Sequence, residues 1–217
     1  MPSRRKPGSA PISAFSDAPL VLAANGATPY KTLADVIAAA KAELGMLNMG
    51  TPGYGSINHL VLESLSLNTG TKFTHVPYKG GAPAVQALVA GDIPLAIIAS
   101  STAAPHVSSG KIRILGVTTG ERSPLNPEWP PLAQQGAGDI NVSNWTALLG
   151  PKGIPQPIIQ KLSAKVVEIL KRADVKERFA AGGVSTIPST PEELAARIKR
   201  ELATYRGVIE KANVHDD

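Results

Sequence analysis

Between residues 18 and 118, five short apolar runs alternate with four stretches of helical periodicity, and glycine marks most of the joints. The runs 18–23, 46–49, 73–77, 93–98 and 111–118 read as strands, and 31–42, 57–68, 83–90 and 100–109 as helices. Such alternation confines the chain to an α/β fold. It predicts a largely parallel sheet, right-handed crossovers and ligands beyond the carboxyl ends of the strands. The turns at 50–56, 78–82 and 99–101 all fall at that edge.

Local signals sharpen the boundaries. Thr32 and Asp35 form a capping box ahead of a helix whose Leu33, Val36, Ile37 and Ala40 share one face. Ile57, Leu60, Val61 and Leu65 do the same in the next, which Gly70 ends. Residues 119–144 contain Pro124, Pro127, Pro130, Pro131, Gly136 and Gly138, which predicts a connection and not a core. Beyond it, 145–149 reads as a strand and 155–172 as a helix with Ile158, Leu162, Val166 and Ile169 in one stripe. A shorter helix covers 173–181. Thr190-Pro191-Glu192-Glu193 opens a last helix reaching Ala212. Arg4, Arg5 and Lys6 resemble the basic region of a signal peptide, but Pro11, Asp17 and Pro19 interrupt what would follow, so the start reads as an irregular arm.

At 217 residues and 43% hydrophobic, the chain can bury a substantial core, and no apolar run is long enough to span a membrane. Cysteine is absent, which excludes disulfides, thiolate metal sites and thiol catalysis. The net charge is +5, yet residues 51–151 carry none of it. With no basic stripe interleaved with aromatics, a nucleic-acid partner is not expected.

The chemistry concentrates in residues 47–62, LNMGTPGYGSINHLVL, where an apolar strand passes through a glycine-rich turn into a helix. Gly50, Gly53 and Gly55 permit sharp turning and close approach, and Ser56 is placed to cap the helix. The remaining first-turn N–H groups and the positive end of the helix dipole make an anion site. Neither familiar nucleotide motif fits. Ser56 stands where a phosphate-binding loop needs lysine, and no acidic residue ends the strand 73–77 that would complete a dinucleotide fingerprint.

Catalytic constellations are missing. Gly55-Ser56-Ile57-Asn58-His59 lacks the second glycine of a nucleophile elbow. His59, His75 and His106 have no metal-ligand spacing, so these scattered histidines read as structural, and no metal or cofactor is expected. What remains is a neutral region with hydroxyls at Thr51, Ser56, Ser100, Ser101 and Thr102, and one nearby base, Lys79, which reads equally as a solvated turn lysine. This suits reversible binding of a small carboxylate. The rival reading is an α/β enzyme acting on a phosphorylated or carboxylated metabolite.

These residues resemble a known family, the substrate-binding proteins of tripartite tricarboxylate transporters, or Bug receptors. Gly50-Thr51-Pro52-Gly53-Tyr54-Gly55-Ser56 with His59-Leu60 is similar to its G-[ST]-P-G-x-G-S-x-x-H-L, and His75-Val76-Pro77-Tyr78-Lys79-Gly80 to its H-V-P-Y-K-G. The resemblance continues through Ala90-Gly91-Asp92-Ile93, Gly150-Pro151-Lys152-Gly153-Ile154-Pro155 and Ser189-Thr190-Pro191-Glu192-Glu193. It implies an α/β fold of the periplasmic-binding-protein type II class, with two lobes and parallel-rich sheets. It also implies a receptor and not an enzyme, which closes on a small carboxylated solute and delivers it to a membrane permease. Thr51, Gly53, Tyr54, Gly55, Ser56, Tyr78, Lys79, Gly80 and Ser100 would line the ligand site. Pro94 and Ile98 stand where members often carry acids.

The implied organisation is an arm and crossing strand (1–23), a ligand-binding second lobe (24–118), a connection (119–144) and a mostly helical remainder of the first lobe (145–217). Members begin with a signal peptide and then a strand, turn and helix that this chain starts after. The expectation is therefore an N-terminally truncated chain with an incomplete first lobe, whose exposed edge favours self-association. A truncated remnant that binds nothing is the alternative. Localisation is periplasmic by resemblance, with cytoplasmic retention the alternative where no signal peptide is present.

Overall fold

The structure is a computed structural model that describes residues 8–212 and 214, and the chain divides into two compact units. Pro19–Asn144 forms one, and the residues up to Ala18 together with those from Trp145 on form the other. One long strand, β1 (Ala10–Asn25), contributes to both.

In Pro19–Asn144, β1 is followed by α1 (Leu33–Ala42), β2 (Asn48–Thr51), α2 (Ile57–Thr69), β3 (Thr74–Pro77), α3 (Gly81–Ala90), β4 (Leu95–Ala99), α4 (Ser100–Ala103) and β5 (Ile112–Val117). The strand order is β3-β2-β4-β1-β5. β2 runs parallel to β3 and β4, whereas β1 is antiparallel to both β4 and β5. The sheet is mixed, which corrects the parallel-rich expectation. A run apolar on both faces reads the same in either direction, so the sense of β1 is not visible in its residues.

Alternation along the strands seeds two cores. Leu20, Leu22 and Ala24 of β1 join Met49, Leu95 and Ile97 against Leu33 and Val36 of α1 and Val61, Leu62 and Leu65 of α2. Val21 and Ala23 join Ala96 and Ile98 on the other face, against Ala84, Val85 and Leu88 of α3. Each such fully buried Leu, Ile or Val contributes about 1.5–3 kcal/mol relative to exposure.

The caps are as the sequence predicts. Asp35 N donates to Thr32 Oγ1 at 3.2 Å and Thr32 N to Asp35 Oδ2 at 2.9 Å. Backbone N–H groups of Lys31 and Thr32 hold the Asp35 carboxyl below its usual range. The stretch expected to be helical over 100–109 is shorter, one α-turn and then a 3-10 turn at Ala104–His106. Pro105 within it lacks the N–H that a continuing helix needs.

Residues 119–144 are not the exposed connection that their prolines suggest. Leu132, Ala137 and Ile140 are buried in the α1–α2 core and Trp129 in the α3 core. Val117 N donates to Pro130 O at 2.9 Å and Leu132 N to Val117 O at 2.8 Å, so the segment extends the sheet beyond β5. Proline excludes long regular elements but not burial, and here the freed carbonyls find partners in the sheet. Gly116 lets the segment approach closely. A Cβ there would lie 2.7 Å from Leu132 Cδ2 and 2.8 Å from Pro130 O.

The other unit carries β6 (Ser143–Gly150), α5 (Gln156–Leu170), α6 (Ala173–Ala181), β7 (Ser185–Thr186) and α7 (Pro191–Ala212). β6 and β7 pair with β1, so from Ala10 on the arm is strand and not irregular chain. Its serines are accommodated by hydrogen bonds. Ser13 Oγ donates to Ser189 O at 2.8 Å, Ala14 N donates to Ser189 Oγ at 2.9 Å, and Ser16 Oγ bonds Thr146 Oγ1.

α7 docks through Glu201, which accepts from Trp145 Nε1 at 2.7 Å and Arg197 Nε at 2.8 Å. Burial and the Glu201 charge push the nearby Tyr205 phenol well up. α5 departs from its predicted face. Ile159, Ser163 and Leu170 are buried, while Ile158, Leu162 and Ile169 of the expected stripe are 45%, 39% and 46% exposed.

Gly116→Ala forces a Cβ against backbone and core at once. It should lower stability by about 1–3 kcal/mol, read as a reduced urea midpoint with an unchanged slope.

Candidate functional site

Because β3, β2 and β4 are neighbours and run the same way, the turns following each emerge side by side. α2, α3 and α4 begin in those turns. The backbone knits two of them together, with Tyr78 N donating to Thr51 O at 2.9 Å and Gly80 N to Pro52 O at 2.8 Å.

The glycines serve different ends. Gly55 alone of the three in the first turn has positive φ, at 67°. Gly50 is needed for space, since a Cβ would meet Ile93 Cδ1 at 2.3 Å and Tyr78 Cε2 at 3.3 Å. At Gly53 a Cβ would make only ordinary contact with Tyr78 O, at 3.6 Å.

Ser56 caps α2 as expected, accepting from His59 N at 3.2 Å. Its own proton goes to Gly53 O at 2.7 Å, so the hydroxyl has none left to offer an anion. Thr51 is fully buried, with Oγ1 accepting from Gly53 N at 3.3 Å and meeting His75 Nε2 at 2.6 Å. Gly55 N is also taken, donating to His59 Nδ1 at 3.2 Å. The first-turn N–H groups of Ile57 and Asn58 lie outside that cap.

α3 is open at its start. Gly80 is its N-cap and supplies no side-chain bond. Thr102 Oγ1 lies beside Gly81, 3.8 Å from where a Cβ would sit. Tyr54 is exposed on the first turn, Lys79 exposed on the second, and Tyr78 half-buried between them. Burial, with the Asp92 charge, pushes the Tyr78 phenol up. Ser100 is 2% exposed at the start of α4. Ile98, in contrast, is fully buried core.

The structure adds a cluster that sequence reasoning dispersed. His59 and His75 stack at 4.0 Å between centroids and 11° between planes, and Tyr54 lies 4.7 Å from His59. His59 Nε2 faces Glu63 Oε1 at 3.4 Å. The β2–β3 pairing, Gly50 opposite Val76 and Thr51 opposite Pro77, sets His75 beside the turn. That register was the only signal for it, and no spacing in the sequence encodes it. Burial first, and His59 second, lower the His75 pKa to about 4, with Glu63 acting the other way. Among the described residues no three His, Cys, Asp or Glu side chains come together as a metal site.

The family model described as the tripartite tricarboxylate transporter family receptor matches residues 5–214. Protein BugT of Bordetella pertussis is 33% identical over 199 residues, covering 92% of this chain and 61% of that protein. A relative from Agrobacterium vitis is 32% identical over 206 residues, covering 93% and 59%. This chain thus spans about three fifths of the length of these curated relatives. Among solved structures, an R. palustris protein with adipate aligns with a TM-score of 0.85 at 27% identity, covering 95% of this chain and 69% of that one. MatC from Rhodopseudomonas palustris with bound malate aligns at 0.80 and 28%, covering 93% and 69%.

The unfolded chain takes up a proton at His75 as pH falls through 6.5, while the folded chain resists until about 4. Stability that is present above pH 6.5 is therefore lost across that window. For a half-buried ring, solvent screening brings the loss to about 1–2 kcal/mol. Urea unfolding at pH 7.5 and 4.5 should show His75→Gln losing less than the unsubstituted chain by that amount.

Proposed function

Because the chain belongs to the tripartite tricarboxylate transporter receptor family, we propose that it is a substrate-binding receptor that holds a small carboxylate at the turns after β2, β3 and β4. The observation that carries this reading is the uncapped start of α3 beside the α2 turn, with Thr102 at hand, in a region without net charge. Helix N-termini and hydroxyls bind a carboxylate without an obligatory ion pair. The dicarboxylates adipate and malate in the related structures are the solutes to try first.

Of the nine expected site residues, Gly53, Tyr54, Gly55, Tyr78, Lys79, Gly80 and Ser100 are proposed to surround the ligand. Thr51 and Ser56 are proposed to support it from behind, their hydroxyls being committed to the turn. The receptor reading carries with it delivery to a membrane permease and a periplasmic location. Turnover is not expected. The His59 ring nitrogens face Gly55 N and Glu63, so the imidazole is not set to activate Ser56.

A thermal-shift series with adipate, malate, citrate and acetate tests the proposal, since a ligand bound only by the native state raises its melting temperature. A selective rise is expected, and Thr102→Val should weaken binding about ten-fold without lowering the melting temperature of the free protein. A flat response to every acid would point to the non-binding reading.

The exposed Ile158, Leu162 and Ile169 on α5 support self-association as a further part of the proposal. Size-exclusion chromatography with light scattering should show a concentration-dependent increase in mass that Leu162→Ser with Ile169→Ser abolishes.

A further inference from the structure

The polar contacts behind the first turn converge on two imidazoles. His59 reaches forward from α2 to accept the Gly55 N–H at Nδ1, and its Nε2 faces Glu63. That arrangement dictates the tautomer, with the proton on Nε2 and Nδ1 bare. His75 reaches across from β3 to Thr51 Oγ1, which in turn accepts from Gly53 N. The two rings are stacked at 4.0 Å. Together they grip the turn at its start, through Thr51 and Gly53, and at its left-handed residue, Gly55.

We infer that His59 and His75 are positioning residues for the carboxylate-binding turn, and that they hold residues 51–55 in binding geometry only while His59 Nδ1 carries no proton. This rests on the receptor reading for its ligand but not for its geometry. A proton on Nδ1 would set two donors, the ring N–H and Gly55 N–H, against each other, and the contact would be lost. The groups facing the pair are Tyr54 from the turn and Glu63 from α2, while β2 and β3 bring no other titratable side chain. Burial first, and His59 second, lower the His75 pKa to about 4, so the proton that would open the clamp is one placed on His59 Nδ1. Acid therefore weakens carboxylate binding through the clamp, beyond what protonation of the ligand itself costs.

Long-range proton–nitrogen NMR of the full chain, combined with amide exchange and adipate titrations from pH 8 to pH 4.5, tests the clamp. His59 should be the Nε2–H tautomer at pH 8. Gly55 amide protection should fall at least ten-fold once NMR shows a proton on His59 Nδ1, and adipate affinity, taken relative to His59→Asn at the same pH so that protonation of the diacid cancels, should fall at least ten-fold in the same step. His59→Asn, whose side-chain oxygen can replace Nδ1 as acceptor, should keep the affinity at pH 8 and show only the pH dependence of the diacid itself, whereas His59→Leu should lose at least ten-fold at pH 8. An Nδ1–H tautomer, or Gly55 protection that is constant through the titration, would overturn the inference. Gly55 protection that follows His59 while adipate binds at no pH would support the clamp and count against the receptor reading.

Discussion

The structure of Pro19–Asn144 depends on the burial of β1 between β4 and β5. In this position Leu20, Leu22 and Ala24 feed one core while Val21 and Ala23 feed the other, so one strand ties both helical layers to the sheet. Its antiparallel bonds to β4 fix that strand, and β4 in turn aligns the parallel β2 and β3. The side-by-side turns of the candidate site follow from this alignment. A site built on strand ends inherits the rigidity of the sheet beneath it.

The same economy of partners governs the turn. A glycine-rich loop has many backbone donors, and this one satisfies several of them internally. Thr51, Ser56 and His59 take the N–H groups of Gly53, His59 and Gly55, which makes the loop rigid and removes those groups from the inventory offered to an anion. What remains open is the start of α3, where no side chain caps. The glycine-rich turn that the sequence singles out is thus scaffold in large part, and its less conspicuous neighbour offers more to a ligand.

Features set by a few adjacent residues are legible in the amino-acid sequence alone. The Thr32–Asp35 box, the Ser56 cap, the Thr190–Glu193 start and the Gly70 stop formed as their local chemistry dictates. Features set by competition for a buried surface are not. α5 has two apolar stripes, and periodicity could not say that Ile159 and Leu170 would be buried while Ile158 and Ile169 stayed exposed. Residues 119–144 looked like a linker because proline and glycine forbid long elements there. Their apolar residues nevertheless found a core whose size no local window reveals.

By itself, then, the sequence determined the α/β class, the order of strands and helices, the caps and the family motifs of the first two turns, because each depends on contacts only a few residues apart. Tertiary structure alone decided the sense of β1, the buried face of α5, the packing of 119–144 and the meeting of His59 with His75. These rest on pairings between residues distant in the chain, and such pairings are fixed by sheet register and core volume, which no spacing along the chain records.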